Sequence, residues 1–380
     1  MDIKELRDRI DEADAALLDA FCRRMDVSAQ LAEYKKDNAL PIYDPARERQ
    51  KLGEVALGTP EPLRTHAMAL YSLLFDLSRS YQEKILCPDA PLVRQITGAI
   101  DGTPKLFPQT PVVACQGVEG AYSQLACEKL FPVPNIMYCT TFESVFSAID
   151  SGLCRYGVLP LENSTAGSIN KIYDLMMKYR FYIVRSARLK VDHNLLAKKG
   201  TSVKDIKEII SHEQAINQCG AFLKSLSGVR ITAAENTALA AQTVAESGRS
   251  DIAALSSRYC ADLYGLECLA ESVQDQGNNY TRFITISKVL EIYPGADKTS
   301  IMMAVPHKPG SLYRILSRFY ALGINLIKLE SRPIPDRDFE FMFYFDLDTP
   351  VYSPQFAELM SALAAVCEEF RYLGSYSEIV

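Results

Sequence analysis

A hydroxyl and a guanidinium stand side by side at Thr281-Arg282, after the polar run Gln274-Asp275-Gln276-Gly277-Asn278-Asn279-Tyr280 and before the apolar Phe283-Ile284-Thr285-Ile286. This pattern reads as a loop feeding the first turn of a β-strand, where both groups can meet a ligand. Other polar clusters fall where strands give way to helices. Gly117-Val118-Glu119-Gly120-Ala121-Tyr122-Ser123 offers backbone N–H groups and a hydroxyl to an anion. A bare Gly-x-x-Gly is a weak signal, and no Lys-Ser/Thr follows it for a nucleotide phosphate. Pro160-Leu161-Glu162-Asn163-Ser164-Thr165-Ala166-Gly167-Ser168 is denser: helix capping needs one of its hydroxyl and amide groups, and the surplus suits carboxylate recognition. Ser211-His212-Glu213-Gln214 and Asn236-Thr237-Ala238 occupy comparable junctions. His212 reads first as structural, with acid–base chemistry the lesser option.

A second set of charges sits at the start of the chain. Residues 2–37 carry apolar side chains at helical spacing with no Gly or Pro, predicting a helix roughly 54 Å long. On it Arg24 and Lys35 are about 20° apart around the axis, whereas Arg7 faces elsewhere. Shorter helices are predicted at 45–57 and 61–86. Asp44-Pro45-Ala46-Arg47-Glu48 reads as an N-cap, a first-turn proline and two charged residues, and Ser78 and Gln82 share a face at i,i+4. Spacing alone favours solvated charges with ordinary i,i+4 pairing. The two shorter helices cannot cover the long one, so a partner chain is expected to bury part of its apolar stripe in an interlocked dimer.

These sets of residues need several domains to hold them. At 380 residues, with 48% hydrophobic and 23% charged residues, the chain has the size and composition of a multidomain globular protein. A net charge of -6 gives no reason to expect nucleic acid. No apolar run reaches the roughly 20 residues of a membrane span, and the first residues lack a signal peptide's apolar segment. Ten scattered cysteines without a CxxC pair predict reduced thiols in a cytoplasm, and four dispersed histidines predict no metal site. A Pro/Gly-bearing linker with one short helical turn near Leu92–Ile96 is expected between the helices and the next domain. Beyond it the pattern is α/β: two lobes with a cleft between them and at least one mostly parallel sheet. Residues 297–380 read strand–helix–strand–strand–helix–strand, a ferredoxin-like order, with strands at Ser300–Val305, Ile324–Ser331, Phe339–Asp348 and Phe370–Ser377 and helices at Leu312–Leu322 and Gln355–Val366.

The helical segment resembles the all-helical chorismate mutases at Arg7, Arg24, Lys35, Asp44, Arg47, Glu48, Ser78 and Gln82. The resemblance implies that Arg7 of the partner subunit, Arg24 and Arg47 hold carboxylates, and that Lys35 and Gln82 face the ether oxygen. It also implies that Glu48 accepts the ring hydroxyl, with Asp44 and Ser78 as supporting groups. The α/β segment resembles prephenate dehydratase at Gly117-x-x-Gly120-x-x-Ser123, Glu162-Asn163-Ser164-x-x-Gly167, Ser211-His212-x-x-Ala215-x-x-Gln218, Thr237-Ala238 and Asn279-x-Thr281-Arg282-Phe283. This implies substrate contacts at Ser123, Glu162, Asn163, Ser164, Gln218, Thr237, Thr281, Arg282 and Phe283. Thr281 would contact the departing hydroxyl, by transferring a proton or by donating a hydrogen bond, and Arg282 would hold a carboxylate or brace the cleft. Asn236 stands where the family often has Ser.

The C-terminal segment resembles the ACT regulatory domain, with an expected phenylalanine site at Gly310, Ser311, Leu312, Asn325, Leu326, Glu330, Ser331, Arg332 and Pro333; Ser311 stands in place of the family's Ala. The implied domains are 1–90 (mutase), 91–109 (linker), 110–290 (dehydratase) and 297–380 (ACT). That order resembles the bifunctional chorismate mutase/prephenate dehydratases, which need no cofactor. It implies chorismate and prephenate as substrates, phenylalanine as effector, a homo-oligomer, and no nucleic-acid or membrane partner. The rivals are a two-lobed solute- or amino-acid-binding sensor, and a chain that keeps one of the two activities.

Overall fold

The computed structural model describes residues 2–380 except 87–90, 336, 338–339, 354–355, 357–358, 361–362 and 364–366. Contacts divide the chain into two compact units: residues 1–97 with 303–325 and 352–370, and residues 98–302 with 326–351 and 371–380. Among the described residues no helix is long and apolar enough to cross a membrane.

The first unit begins with α1 (Ile3–Asp37), opened by a capping box in which Asp2 accepts from the Glu5 N–H and Glu5 accepts from the Asp2 N–H. α2 (Pro45–Gly58) is capped by Asp44, whose carboxylate accepts from the N–H groups of Ala46 and Arg47, with Pro45 at the first position. A 3-10 turn at Glu61–Leu63 leads into α3 (Arg64–Leu86), against which both α1 and α2 pack. Only Ser28 and Ala32 of α1 are fully buried, whereas Ile3, Leu6, Ile10 and Leu17 remain exposed. The apolar stripe is therefore longer than the chain's own helices can cover.

Residues 87–90, just ahead of the expected linker, lie outside the described residues. The segment after them is not the single short turn expected there: α4 (Pro91–Gly102) is a full helix of 12 residues with Ile96 buried. Its apolar Leu92, Val93, Ile96 and Ile100 recur at helical spacing, while the prolines and glycines that suggested a linker sit mainly toward its ends.

The second unit holds two sheets. The strands are β1 (Val112–Gln116), β2 (Asn135–Cys139), β3 (Tyr156–Asn163), β4 (Gly167–Ser168), β5 (Tyr182–Lys190), β6 (Asn194–Ala197), β7 (Glu208–His212), β8 (Arg230–Ala234), β9 (Ile252–Ser256), β10 (Glu267–Ala270) and β11 (Tyr280–Ser287). Between them run α5 (Tyr122–Leu130), α6 (Phe142–Asp150), α7 (Asn170–Lys178), α8 (Glu213–Gln218), α9 (Gly220–Ser225), α10 (Thr237–Glu246) and α11 (Arg258–Tyr264). α8 and α9 are short and meet at Cys219, which is the C-cap of the first and the N-cap of the second.

The chain leaves the first sheet after β5, builds the second sheet in the order β10-β6-β9-β7-β8, and returns on β11, which inserts between β5 and β3. The two crossing segments are joined where the Val191 N–H donates to the Asn279 carbonyl at 2.9 Å. Because β11 re-enters from the opposite direction it pairs antiparallel with both neighbours, and in the second sheet β6 pairs antiparallel with β10 and β9, so both sheets are mixed rather than mostly parallel.

Four further strands, β12 (Lys298–Ala304), β13 (Asn325–Pro333), β14 (Phe341–Asp348) and β15 (Glu369–Tyr376), form a sheet in the order β13-β14-β12-β15, with α12 (Ser311–Ala321) after its first strand. This is the strand order of a ferredoxin-like fold. Most of the expected helix at Gln355–Val366, and Phe339 at the expected start of β14, lie outside the described residues. The last strand, β16 (Glu378–Ile379), adds in parallel to β5. Close approach there rests on Gly374, at φ 135°, where a Cβ would collide with the Ile183 carbonyl oxygen. Gly374→Ala is therefore expected to destabilise the second unit by about 2–4 kcal/mol, since backbone cannot move aside as a side chain can. An unchanged urea midpoint would remove this reading of the junction.

Candidate active sites

A cavity of about 310 Å³ opens in the helical unit, bounded by Arg24, Ser28, Leu31 and Lys35 of α1, Asp44, Arg47 and Glu48 at the start of α2, and Phe75, Ser78, Arg79 and Gln82 of α3. Every residue expected at this site lines it except Arg7, which lies about 25 Å from Arg24 along the helix. Arg24 donates to the Leu74 carbonyl at 3.1 Å and to Ser78 Oγ, and lies 5.8 Å from the Phe75 ring centroid. Lys35 Nζ donates to the Ile42 carbonyl at 2.5 Å. Burial lowers the Lys35 pKa, opposed in part by Asp44 and Glu48, and lowers that of Arg24, opposed in part by Tyr71. Gln82 Nε2 meets Ser28 Oγ at 3.0 Å, while its buried Oε1 has no partner among the described residues. Because Ser28 Oγ both donates and accepts, the amide turned over makes the same contact and frees N–H donors for a ligand oxygen.

Arg79 is a member of this site that the sequence patterns did not mark. It pairs with Glu48 and Asp76 and lies 5.1 Å from the Tyr43 ring centroid. Only the i,i+3 relation of Asp76 to Arg79 was visible in the sequence, and Glu48 is far away along the chain.

A second cavity, of about 510 Å³, lies between the two sheets of the second unit. The first residues of α5 (Tyr122, Ser123), α6 (Phe142) and α10 (Thr237) border it, as do Ser168 and Ile169 ahead of α7. Helix N-termini present unpaired N–H groups and the positive end of the helix dipole, so their convergence favours an anion. Among the described lining residues there is no Lys or Arg, and Glu235 is the one carboxylate. Of the residues expected here, Ser123, Asn163, Gln218, Thr237, Thr281 and Phe283 line the cavity. Asn236 borders it too, but its side chain caps α10 by accepting from the Leu239 N–H at 2.7 Å. His212 caps α8 through Nδ1, 3.3 Å from the Gln214 N–H.

Behind Thr281 runs a closed set of hydrogen bonds. Asn163 Nδ2 donates to Thr281 Oγ1 at 2.9 Å and to Asn279 Oδ1 at 2.7 Å. Asn279 Nδ2 and His193 Nε2 meet Gln218 Oε1 at 3.0 and 2.9 Å, and Gln218 Nε2 donates to Thr165 Oγ1 at 2.7 Å. Burial holds the His193 imidazole below its usual pKa, opposed by Gln218 and Asp192, so it is neutral at physiological pH. Asn279 could have been read from the sequence, since the strand period of two places it on the same side as Thr281. His193 and Thr165 gave no such signal.

Three residues expected to contact substrate do not border this cavity. Glu162 and Arg282 point to the opposite side of the β3–β11 pair, and Ser164 instead ties down the loop by donating to the Asn278 carbonyl at 2.7 Å and accepting from the Tyr280 N–H at 2.9 Å. Arg282 is buried, donating to Tyr376 Oη at 2.7 Å and pairing with Asp346, with Glu162 at 3.2 Å and with Glu378 at 3.3 Å. Burial opposes a charge on Glu162, but Lys328 and Arg282 outweigh it and hold its pKa below the usual carboxylate value.

Alternation along β13 carries this network onward. Lys328 pairs with Glu162 and donates to Ser168 Oγ at 2.8 Å, Ser168 donates to Glu330 at 2.5 Å, and Arg332 grips Asp174 at 3.0 and 3.1 Å. Glu330 and Arg332, expected at an effector site, are thus already engaged within the second unit, as Leu326, Ser331 and Pro333 continue the same strand. Gly310, Ser311, Leu312 and Asn325 belong to the first unit, where Gly310 caps α12 at φ 83°.

Comparison with known proteins finds the family model for prephenate dehydratase over residues 113–290 and that for chorismate mutase type II over residues 6–83. A bifunctional chorismate mutase/prephenate dehydratase from Aquifex aeolicus is 30% identical over 99% of this chain and 98% of its own. An arogenate dehydratase/prephenate dehydratase from Arabidopsis thaliana is 38% identical over 70% of this chain and 71% of its own. The crystal structure of an Arthrobacter aurescens prephenate dehydratase in complex with L-Phe matches 70% of this chain and 89% of its own at TM-score 0.64 and 28% identity.

The buried charges behind the cleft can be tested apart from any likeness. Arg282→Met leaves Asp346, fully buried, without its cation, and a loss of about 3–5 kcal/mol in unfolding free energy is expected. Adding Asp346→Leu should restore part of that loss; a single variant as stable as the parent would show that the pair is not needed.

Proposed function

The chain belongs to the bifunctional chorismate mutase/prephenate dehydratases and carries both activities, and from that premise we propose how its residues divide the work. In the helical cavity Arg24 and Arg47, with Arg7 of the partner subunit, hold the two carboxylates of chorismate. Lys35 and Gln82 donate to the ether oxygen as it gains negative charge, and Glu48 accepts the ring hydroxyl. The rearrangement needs no nucleophile, so its rate comes from holding the compact conformer and from donors fixed in advance. Asp44 and Ser78 act at one remove, Asp44 by fixing the start of α2 and Ser78 by holding Arg24.

In the cleft, prephenate loses carbon dioxide and its ring hydroxyl to give phenylpyruvate. The observation that carries this reading is the Thr281 hydroxyl, held by Asn163 at 2.9 Å in a cavity ringed by helix N-termini. Hydroxide is a poor leaving group, and Thr281 is the donor that reaches it. Ser123 and Thr237, with the neighbouring backbone N–H groups, receive carboxylates, Gln218 sets the network behind Thr281, and Phe283 walls the cleft.

The ferredoxin-like module is an ACT domain that binds phenylalanine and lowers the dehydratase rate, acting through the β13 contacts of Lys328, Glu330 and Arg332 on the back of the cleft. The exposed apolar stripe of α1 supports a dimer with interlocked helical units. The described cysteines are all free, which supports a reducing compartment such as the cytoplasm.

One reaction started with chorismate, followed for prephenate and phenylpyruvate with and without phenylalanine, tests the whole reading. Lys35→Ala should lose roughly 10²-fold or more of the mutase rate with prephenate turnover intact. Thr281→Ala should do the reverse, and equal loss of both activities in either variant would contradict the division. Saturating phenylalanine should depress the dehydratase rate; an unchanged rate would rule out the regulatory assignment.

A further inference from the structure

We infer that Asn163 is a positioning residue that makes Thr281 a hydrogen-bond donor to the departing hydroxyl and excludes it as a proton relay. The inference rests on the assignment of Thr281 to the dehydratase reaction. Its starting point is which end of the Asn163 amide faces which partner, normally an open choice. Here the chain decides it. The backbone N–H groups of Thr165 and Ala166 both point at one amide atom, at 3.1 and 2.9 Å, and the Thr165 hydroxyl reaches it at 2.7 Å. Two backbone N–H groups can only donate, so that atom is the oxygen. The nitrogen therefore faces Asn279 Oδ1 at 2.7 Å, Thr281 Oγ1 at 2.9 Å and the Tyr280 carbonyl at 3.2 Å; its two N–H groups serve the two shorter contacts, and the one toward Thr281 occupies one of the two lone pairs on Oγ1.

The hydroxyl proton then has no acceptor behind it among the described residues, and the open side of Thr281 is the cleft. Donation from the amide also polarises the hydroxyl, making it a better donor forward. An amide N–H has no lone pair with which to take up or pass on a proton, so no chain of groups behind Thr281 can replace one that it gives away. In the reaction itself, the bond from the ring to its carboxylate breaks, carbon dioxide leaves, and the electron pair moves through the ring as it aromatises and expels the hydroxyl. That hydroxyl departs within a hydrogen bond from Thr281 and becomes water with one proton taken from solvent. Prephenate and one proton thus give phenylpyruvate, carbon dioxide and water.

Asn163→Asp tests this in the full-length protein. As a carboxylate, Asp at this position accepts from Thr281 and turns its hydroxyl away from the substrate. As a neutral acid it donates again. The dehydratase kcat of Asn163→Asp relative to the parent is expected to fall by roughly 10²-fold at pH 7.5 and to recover at least tenfold as the pH is lowered toward 5. Asn163→Ala, by contrast, should show a ratio that does not vary with pH, and mutase activity should persist in both variants as the measure of folding. A pH-independent ratio for Asn163→Asp, or near-parental activity at pH 7.5, would overturn the inference. A fully active Thr281→Ala would instead remove the assignment on which it stands. Should Asn163→Asp not fold, the parent's solvent deuterium effect on kcat decides: a value near 1 supports hydrogen-bond donation, and a value of 2 or more that is lost in Thr281→Ala establishes transfer through Thr281.

Discussion

The alternation of side chains along two paired strands is the constraint on which the second unit depends. Thr281 of β11 is registered with Asn163 of β3, and the next residue, Arg282, with Glu162. Successive side chains in a strand point to opposite faces, so the first pair stands in the cleft and the second on the reverse side. The cleft-facing pair and the buried ion-pair network are thereby separated by one residue on each strand. Arg282 cannot move without disturbing Thr281, because they share a backbone held by ladders on both sides. The carboxylates of Asp346, Glu162 and Glu378 around a buried guanidinium make this junction costly to break. Lys328, Glu330 and Arg332 extend it to the strand of the ferredoxin-like sheet that faces Glu162, Ser168 and Asp174.

The two cavities differ in their physics, and the difference suits the two reactions proposed for them. The helical cavity is lined by Arg and Lys side chains, among them Arg24, Lys35, Arg47 and Arg79. Nothing leaves during a rearrangement, so firm cations on the carboxylates hold the reactive conformer and stabilise charge at the ether oxygen. In the cleft, one carboxylate departs as neutral carbon dioxide. A cation held against it would stabilise the substrate more than the transition state and slow the reaction. Helix N-termini and neutral donors attract the dianion with a weaker and more diffuse field.

Much of the first unit was legible in the sequence. α1, α2 and α3 follow from long helical periodicity and from Asp44-Pro45, whereas the grouping of Arg24, Lys35, Glu48, Ser78 and Gln82 into one set comes from the resemblance to the chorismate mutases and not from their spacing. Arg79 escaped because its partner Glu48 is distant in sequence, and α4 because its flanking prolines and glycines obscured its amphipathic turns. In the second unit the polar junctions were visible as cleft-forming segments, but the insertion of β11 between β3 and β5 was not. Strand order depends on contacts between residues far apart in the chain, which periodicity does not encode.

The run that enters β11 shows where the division falls. The amino-acid sequence by itself determined that Thr281 and Arg282 open a strand, that Asn279 shares a side with Thr281, and that acidic, amide and hydroxyl groups gather at 162–168. These are local properties, set by residue type and by a period of two. Only the tertiary structure decided that Arg282 and Glu162 face away from the cleft and that the Asn163 amide presents its nitrogen to Thr281. The sense of a strand's two faces, and the orientation of an amide, are fixed by what other parts of the chain bring to each side.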